Sequence, residues 1–195
     1  MTNPTRIVLA SSSRYRQRLI SQLGIPAECH APNIDETPLN AEKPAETALR
    51  LAQEKAAHVA TQHRNALVIG SDQVADLDGV ALGKPGDRDH TIAQLQACSG
   101  KTLRFHTGLC LINTQSGRQQ DCVDTFTVVF RPLTTEQITR YVDKEPALDC
   151  AGGFKMEGLG ISLFERLSGD DPNALIGLPL IRLVDFLTKE GHPLP

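Results

Sequence analysis

Hydrophobic and polar positions follow two rhythms along the chain. Short apolar runs, "RIVLA" (6–10) and "ALVIGSD" (66–72), are bounded by polar stretches and predict buried strands. "SSRYRQRLISQLG" predicts a helix with serine at its N-cap and Gly24 as its stop. "AECHAPNIDETP" reads as a second extended piece running into a Pro-bounded loop. The strongest helical pattern is "KPAETALRLAQEKAAHVATQH", where Ala, Leu and Val recur at helical spacing and Pro44 sits near the first turn.

"QVADLDGVALGKP" predicts a hairpin turning at Asp78-Gly79. "DRDHTIAQLQACSG" predicts a helix stopped by Gly100. The long segment "KTLRFHTGLCLINTQSGRQQDCVDTFTVVFRPL" holds two alternating strands joined at Ser116-Gly117. "TTEQITRYVDKE" is a Thr-capped helix. After Pro146 come a glycine-rich stretch "CAGGFKMEGLG", a strand "ISLFERLSG" and a final helix "LIGLPLIRLVDFLTKEG". Early alternation of strands and helices with a long central hairpin predicts an α/β fold with a mixed sheet, in two lobes around a cleft.

Composition narrows the function. A chain of 195 residues buries roughly 70% of its unfolded surface and suits one domain or two small lobes. The net charge of −3 supplies no basic field for a long nucleic acid, although a local cluster of Lys and Arg still suits a small anion. No apolar run reaches the ~20 residues of a membrane span. The apolar core of "MTNPTRIVLASSS" is four residues, shorter than a signal peptide needs. The five cysteines show no CxxC pairing, which predicts spare or buried thiols in a reducing cytosol. His58 and His63 miss the i,i+4 spacing of metal ligands.

Four polar clusters fall at strand ends or helix starts, where open α/β sheets place ligands. "ASSSRYRQR" puts Ser11, Ser12 and Ser13 before a helix whose first turns carry Arg14, Arg16 and Arg18. Basic residues at a helix start oppose the macrodipole, and a bound phosphate would remove the conflict. "NIDETP" pairs Asp35 with Glu36, which suits Mg²⁺ or an ordinary turn. Lys55 lies on the strong helix. In "VIGSDQ" an apolar strand delivers Asp72 and Gln73 at its tip, followed by Lys84 in "LGKPG"; Asp72 suits a metal or a proton-accepting role, and Lys84 a phosphate. Cations for phosphates, carboxylates for metal and a base for water are what hydrolysis of a nucleoside triphosphate requires. "GLPLIRL" lacks the GK[ST] ending of a P-loop.

The motifs "LASSSRYRQRL", "IDET", "LAQEKA", "VIGSDQV", "GKP", "TGL" and "CAGGFKMEGLGISLFERLSGDDPNALIGLPL", in this order, resemble the Maf family of nucleotide pyrophosphatases from about residue 6 to residue 190. "SDQ" and "FKMEG" with "LFERLSGDDPN" look like its 7-methyl-GTP branch; the dTTP/UTP-type branch would show Thr or a similar residue after the Asp. The resemblance implies one Maf-like domain over 1–195, with an elongated mixed sheet, flanking helices and two lobes around a central cleft, as in inosine triphosphatases. It implies cleavage of a nucleoside triphosphate to monophosphate and diphosphate, a divalent cation (Mg or Mn), a homodimer and a cytoplasmic location.

By matching position, the resemblance makes Asp72 the proton acceptor, with Glu36 and Lys84 beside it in catalysis. Ser11, Arg16, Lys55 and Lys84 would hold phosphates. Glu36 and Asp72 would hold the metal. Tyr15, Gln73 and Glu157 would set base specificity. The family often shows Ser-Pro-Arg-Arg in its first motif, where this chain has Ser13-Arg14-Tyr15-Arg16-Gln17, so the phosphate ligand there is either Arg14 or Arg16. The methylated guanine is cationic; an aromatic face such as Tyr15 and a carboxylate edge such as Glu157 suit it. A broader house-cleaning pyrophosphatase and a non-catalytic nucleotide-binding regulator of cell division are the competing expectations.

Overall fold

A computed structural model describes residues 6–194; residues 1–5, where the N-terminal segment considered above begins, and residue 195 lie outside the described part. The elements run in chain order β1 (Arg6–Ala10), α1 (Arg14–Gln22), β2 (Ala27–Cys29), α2 (Pro44–Ala60), β3 (Ala66–Leu77), β4 (Val80–Leu82), α3 (Arg88–Cys98), β5 (Thr102–Asn113), β6 (Gln119–Phe130), α4 (Thr135–Lys144), a 3-10 turn (Leu159–Leu163), β7 (Phe164–Ser168), α5 (Pro172–Ile176) and α6 (Leu180–Lys189). The fold is mixed α/β, as expected: seven strands form an open sheet in the order β2-β1-β3-β5-β6-β7, with β4 on β3. β1 is parallel to both β2 and β3, whereas β4 and β7 are antiparallel to their neighbours.

By internal contacts the chain divides into two units. The first takes the residues up to Gln73, Thr107–Asp124 and Asp171 onward; the second takes Val74–His106 and Thr125–Asp170. In the first unit, strand alternation sorts side chains onto two faces. Ile7, Leu9, Leu67, Ile69, Leu109 and Leu111 pack with Leu19 and Ile20 of α1 and with Leu183, Phe186 and Leu187 of α6. Val8, Ala10 and Val68 meet Val59 of α2 on the opposite face, and Cys110 meets Ala52 and Ala56 there. The second unit is built on edge-to-face aromatic contacts among Phe105, Phe130, Phe154 and Phe164.

α2 lies unusually close to the sheet, and two glycines allow it. A Cβ on Gly70 would come 2.1 Å from the carbonyl oxygen of Ala52, and one on Gly108 would come 2.1 Å from that of Ala48. Alanines at 48, 52 and 56 complete the contact, and all three are fully buried.

The local signals behind most elements are visible. Ser13 caps α1 through the Arg16 N–H, and Gly24 follows with φ of +66°. Thr134 and Gln137 form a capping box on α4. Asp78 and Gly79 turn the β3–β4 hairpin with φ of +55° and +87°.

Three expectations are corrected. β3 does not end at Asp72 but runs on to Leu77, so Asp72 sits inside a strand rather than at its tip. The final helix is two helices, because Gly177 takes a φ of +122° and Pro179 starts the next element. Ile161-Ser162-Leu163 end the 3-10 turn Leu159–Leu163, and the strand starts at Phe164.

The glycine contacts generate a stability prediction. Gly108→Ala places a methyl group against main chain that cannot turn aside, and should cost about 1–3 kcal/mol or more. Gly83→Ala, where an added Cβ meets nothing within 4 Å, should stay within about 0.5 kcal/mol of the parent. Urea unfolding midpoints check both; equal midpoints would refute the close approach.

Candidate active site

The period of β3 decides which way its polar residues point. Gly70 and Asp72 share the face against α2, and Ser71 and Gln73 share the other. Because Gly70 lets α2 approach, Lys55, one turn after Leu51 and Ala52, reaches the strand. Lys55 is 4% exposed and Asp72 is 7% exposed. The Lys55 ammonium donates to Asp72 Oδ1 at 2.6 Å and meets Glu36 Oε1 at 2.8 Å. Two carboxylates from distant segments therefore converge on one buried cation. The Glu36 side chain is 56% exposed, so this end of the cluster opens to solvent.

Ser71 and Gln73 are occupied on the reverse face. Ser71 Oγ donates to the carbonyls of Gly108 (2.8 Å) and Gly177 (3.0 Å). Gln73 Nε2 donates to the carbonyls of Ala174 (2.7 Å) and Leu175 (3.0 Å) and to Thr107 Oγ1 (3.1 Å). These bonds pin β3 to α5 and explain why a polar triplet continues as strand instead of breaking it. The break between α5 and α6 turns the Gly177 carbonyl inward, where it also accepts from Arg16 Nε at 2.8 Å. Asp171 holds that bend, accepting from the main-chain N–H groups of Asn173 and Ile181, each at 2.8 Å.

Arg16 belongs to the charged cluster. Burial pulls its pKa down from the ordinary arginine value, and the charges of Asp72 and Glu36 oppose that pull. Arg14 is exposed. Ser11 is buried, and its Oγ accepts from the Ser13 N–H at 3.1 Å. Tyr15 is half-buried on α1. The structure thus brings Arg16, Glu36, Lys55 and Asp72 together in the first unit, with Ser11 at the end of β1.

Lys84 and Glu157 belong to the second unit, and both are exposed. The glycines around Glu157 serve packing rather than an open backbone. Gly152 faces Leu103 and Phe105, Gly153 faces Thr91 and Leu95, and Gly158 lies against the Glu145 carboxylate. Glu145 also accepts from the Gly160 N–H at 3.2 Å, while Tyr141 Oη accepts from the Lys155 N–H at 3.0 Å.

Among the described residues, no three His, Cys, Asp or Glu side chains are grouped to hold a metal ion. The pair of Asp72 and Glu36 fits a hard cation that takes one or two carboxylates and completes its shell with substrate phosphates and water, as Mg²⁺ does. All five thiols are free, and burial pushes Cys98 up to about 11 and Cys110 up to about 12, which keeps those two unreactive. No helix among the described residues is long and apolar enough to cross a membrane.

Sequence reasoning missed three participants: Ser71, the Gly177 carbonyl and Arg50. The Gly-Leu-Pro step at 177–179 signalled the bend that aims the carbonyl. Arg50 holds the loop that carries Glu36. Its guanidinium donates to both oxygens of Glu42, at 2.6 and 2.8 Å, and to the Thr37 carbonyl at 3.2 Å. Hydrogen bonds from Arg50, with others from Leu39 and Thr47, bring Glu42 from the ordinary 4.5 down to about 2.

Comparison with known proteins places these residues in a family context. The family model described as "Maf-like protein" matches residues 6–190. The 7-methyl-GTP pyrophosphatase of Nitrosococcus oceani is 53% identical over 190 residues, covering 97% of this chain and 96% of that protein. The 7-methyl-GTP pyrophosphatase of Alcanivorax borkumensis is 54% identical over 196 residues and the full length of both. Among solved structures, the Ham1 protein of Staphylococcus aureus aligns with a TM-score of 0.55 at 17% identity, covering 95% of this chain and 99% of its own. The HAM1 protein of Coxiella burnetii gives 0.53 at 17% identity, covering 94% and 98%. At that identity the two structures speak for the fold alone.

The Glu42 carboxylate sets a pH dependence. Its pKa is lower in the folded chain than in the unfolded one, so its stabilisation is complete above about pH 4.5 and is lost as pH falls toward about 2. Glu42→Gln should flatten the fall of stability across that window. Urea midpoints from pH 5 to 2.5 measure it, and an unchanged slope would refute the grip of Arg50 on Glu42.

Proposed function

The chain belongs to the Maf family, and on that premise we propose that it hydrolyses 7-methyl-GTP to 7-methyl-GMP and diphosphate. The observation that carries the reading is the buried Lys55 ammonium bound to both Asp72 and Glu36. Full-length relatives at 53–54% identity that bear the name 7-methyl-GTP pyrophosphatase support the substrate.

Water attacks the α-phosphorus as the bond from that phosphorus to the bridging oxygen breaks, and diphosphate leaves. Asp72 orients the water and takes its proton. Lys55 has three donors: two hold the carboxylates in register, and the third is available to a phosphate oxygen. Arg16, half-buried and fixed by the Gly177 carbonyl, presents its remaining N–H groups to the phosphates, and Ser11, at the end of β1, is assigned the same role. Geometry favours Arg16 over the exposed Arg14 for this role. Lys84 is assigned to the phosphates by the family resemblance alone. A divalent cation, Mg²⁺ or Mn²⁺, would be held by Asp72 and Glu36 and would supply charge neutralisation on the phosphates.

Tyr15 and Glu157 are assigned to the methylated base: the ring face stabilises its positive charge, and the carboxylate accepts from guanine N1–H and N2–H. Gln73 is assigned to specificity through its place rather than its amide N–H groups, because Nε2 is taken up by Thr107 and α5. From the reverse face of β3 it holds the strand that carries Asp72, so its effect on specificity would be indirect. A cytoplasmic homodimer acting on a small nucleotide completes the proposal, resting on the family resemblance.

Two experiments test this reading. Asp72→Asn keeps an acceptor for Lys55 but removes the proton acceptor and one of the two charges that answer the lysine, so pyrophosphate release should fall by about 10² or more in a chain that still folds, with a lowered unfolding midpoint. Near-normal turnover would reject the role. In the second, kcat/KM is measured for 7-methyl-GTP and for GTP. Glu157→Ala should shrink the ratio by about tenfold, in line with loss of a charge-assisted hydrogen bond. An unchanged ratio would favour the broader house-cleaning activity.

A further inference from the structure

We infer that Arg50 is a positioning residue for catalysis, holding the loop that carries Glu36 so that its carboxylate meets Lys55. The inference rests on the function proposed above for Glu36. Glu36 lies between β2 and α2 in a stretch with no regular structure. A carboxylate that is more than half exposed on such a loop has many places to be. Two ties reduce them.

The first is local. Asp35 Oδ1 accepts from the Thr37 main-chain N–H at 2.9 Å and from the Thr37 hydroxyl at 2.7 Å, closing a tight turn around Glu36. Asp35, the partner of Glu36 in the acidic pair, thus spends one oxygen on the loop itself. The second tie comes from α2. Arg50 Nη2 donates to the Thr37 carbonyl, the residue directly after Glu36, and to Glu42 Oε2; Arg50 Nε donates to Glu42 Oε1. Glu42 in turn accepts from the Leu39 N–H and the Thr47 hydroxyl, both at 3.0 Å.

One planar guanidinium therefore grips the loop at two points five residues apart. The Arg50 and Glu42 side chains are 19% and 8% exposed, so water screens the grip little. The same helix presents Arg50 to the loop main chain and Lys55 to the Glu36 side chain. Distance between the two attachments is fixed by helix geometry. Lysine cannot replace the fork, because a single ammonium does not span both Glu42 oxygens and a carbonyl in fixed directions.

The test is a cycle of Arg50→Lys, Glu36→Gln and the double variant, each assayed for pyrophosphate release from 7-methyl-GTP with kcat and KM resolved, beside urea unfolding. Arg50→Lys should lower kcat by about tenfold or more, as misplacement by about 1 Å does, with KM changed by less. In the Glu36→Gln background it should cost nothing further. A role confined to stability would give the same fractional loss in both backgrounds, and that result overturns the inference, as does full kcat in Arg50→Lys. A slow Glu36→Gln beside a full-rate Arg50→Lys removes the clamp alone. Full turnover by Glu36→Gln overturns the role of Glu36 and the clamp with it. Should Arg50→Lys not fold, Glu42→Gln weakens the same grip from the loop side and completes the cycle.

Discussion

A lysine ammonium with almost no access to water must be answered by carboxylates, and the rest of the site follows from that demand. Taking Lys55 out of solvent costs several kcal/mol unless its partners are close and well aligned. Asp72 and Glu36 supply those partners at 2.6 and 2.8 Å. Removal of either side would leave an uncompensated charge, so the three groups hold one another in place. A helix, a strand and a loop are tied by this contact although they are far apart in sequence. The arrangement contributes little net stability compared with an apolar packing of the same volume. Its value is geometric: two carboxylates and a cation stand in fixed positions before any substrate arrives.

That geometry depends on a register. Side chains on β3 alternate, so a slip of one residue would exchange Asp72 for Ser71 or Gln73 and turn the carboxylate to the other face. Gly70 and Gly108 prevent the slip by accepting α2 at a distance that no side chain permits. On the reverse face, Ser71 and Gln73 lock the same strand through the carbonyls of Gly108, Ala174, Leu175 and Gly177. Three consecutive polar residues fix the strand from both sides, Asp72 through α2 and Ser71 and Gln73 through β5 and the end of α5.

Most of the fold was legible because its signals are local. Ser13, Thr134 and the Asp78-Gly79 turn announce their elements within four residues. The extent of β3 was not legible, since the partners that satisfy Ser71, Asp72 and Gln73 lie up to about a hundred residues away. The split of the last helix was signalled by Gly177 and Pro179 but masked by the apolar run around them. For the site, the burial of Lys55 was written in the helical period: positions 48, 51, 52, 55, 56 and 59 form one buried stripe, and a lysine within it needs a partner. The identity of the partner was not, because pairing across a sheet is set by register rather than by spacing in the chain. Arg50 escaped for the same reason, its loop contacts being invisible until the loop is folded back on α2.

Charge explains what the cluster still requires. Arg16 and Lys55 are balanced by Asp72 and Glu36, so the set is close to neutral before substrate binds. A triphosphate brings several negative charges, and a neutral set does not attract it. Counter-charge must therefore arrive from outside the four residues. A divalent cation held by the two carboxylates would supply it, while the third donor of Lys55 meets a phosphate oxygen. The carboxylates that neutralise the lysine in the free protein are thus the groups best suited to recruit the metal with the substrate. On the proposed reading the four residues carry little net charge by themselves, so capture of the polyphosphate would depend on the ion that neutralises it.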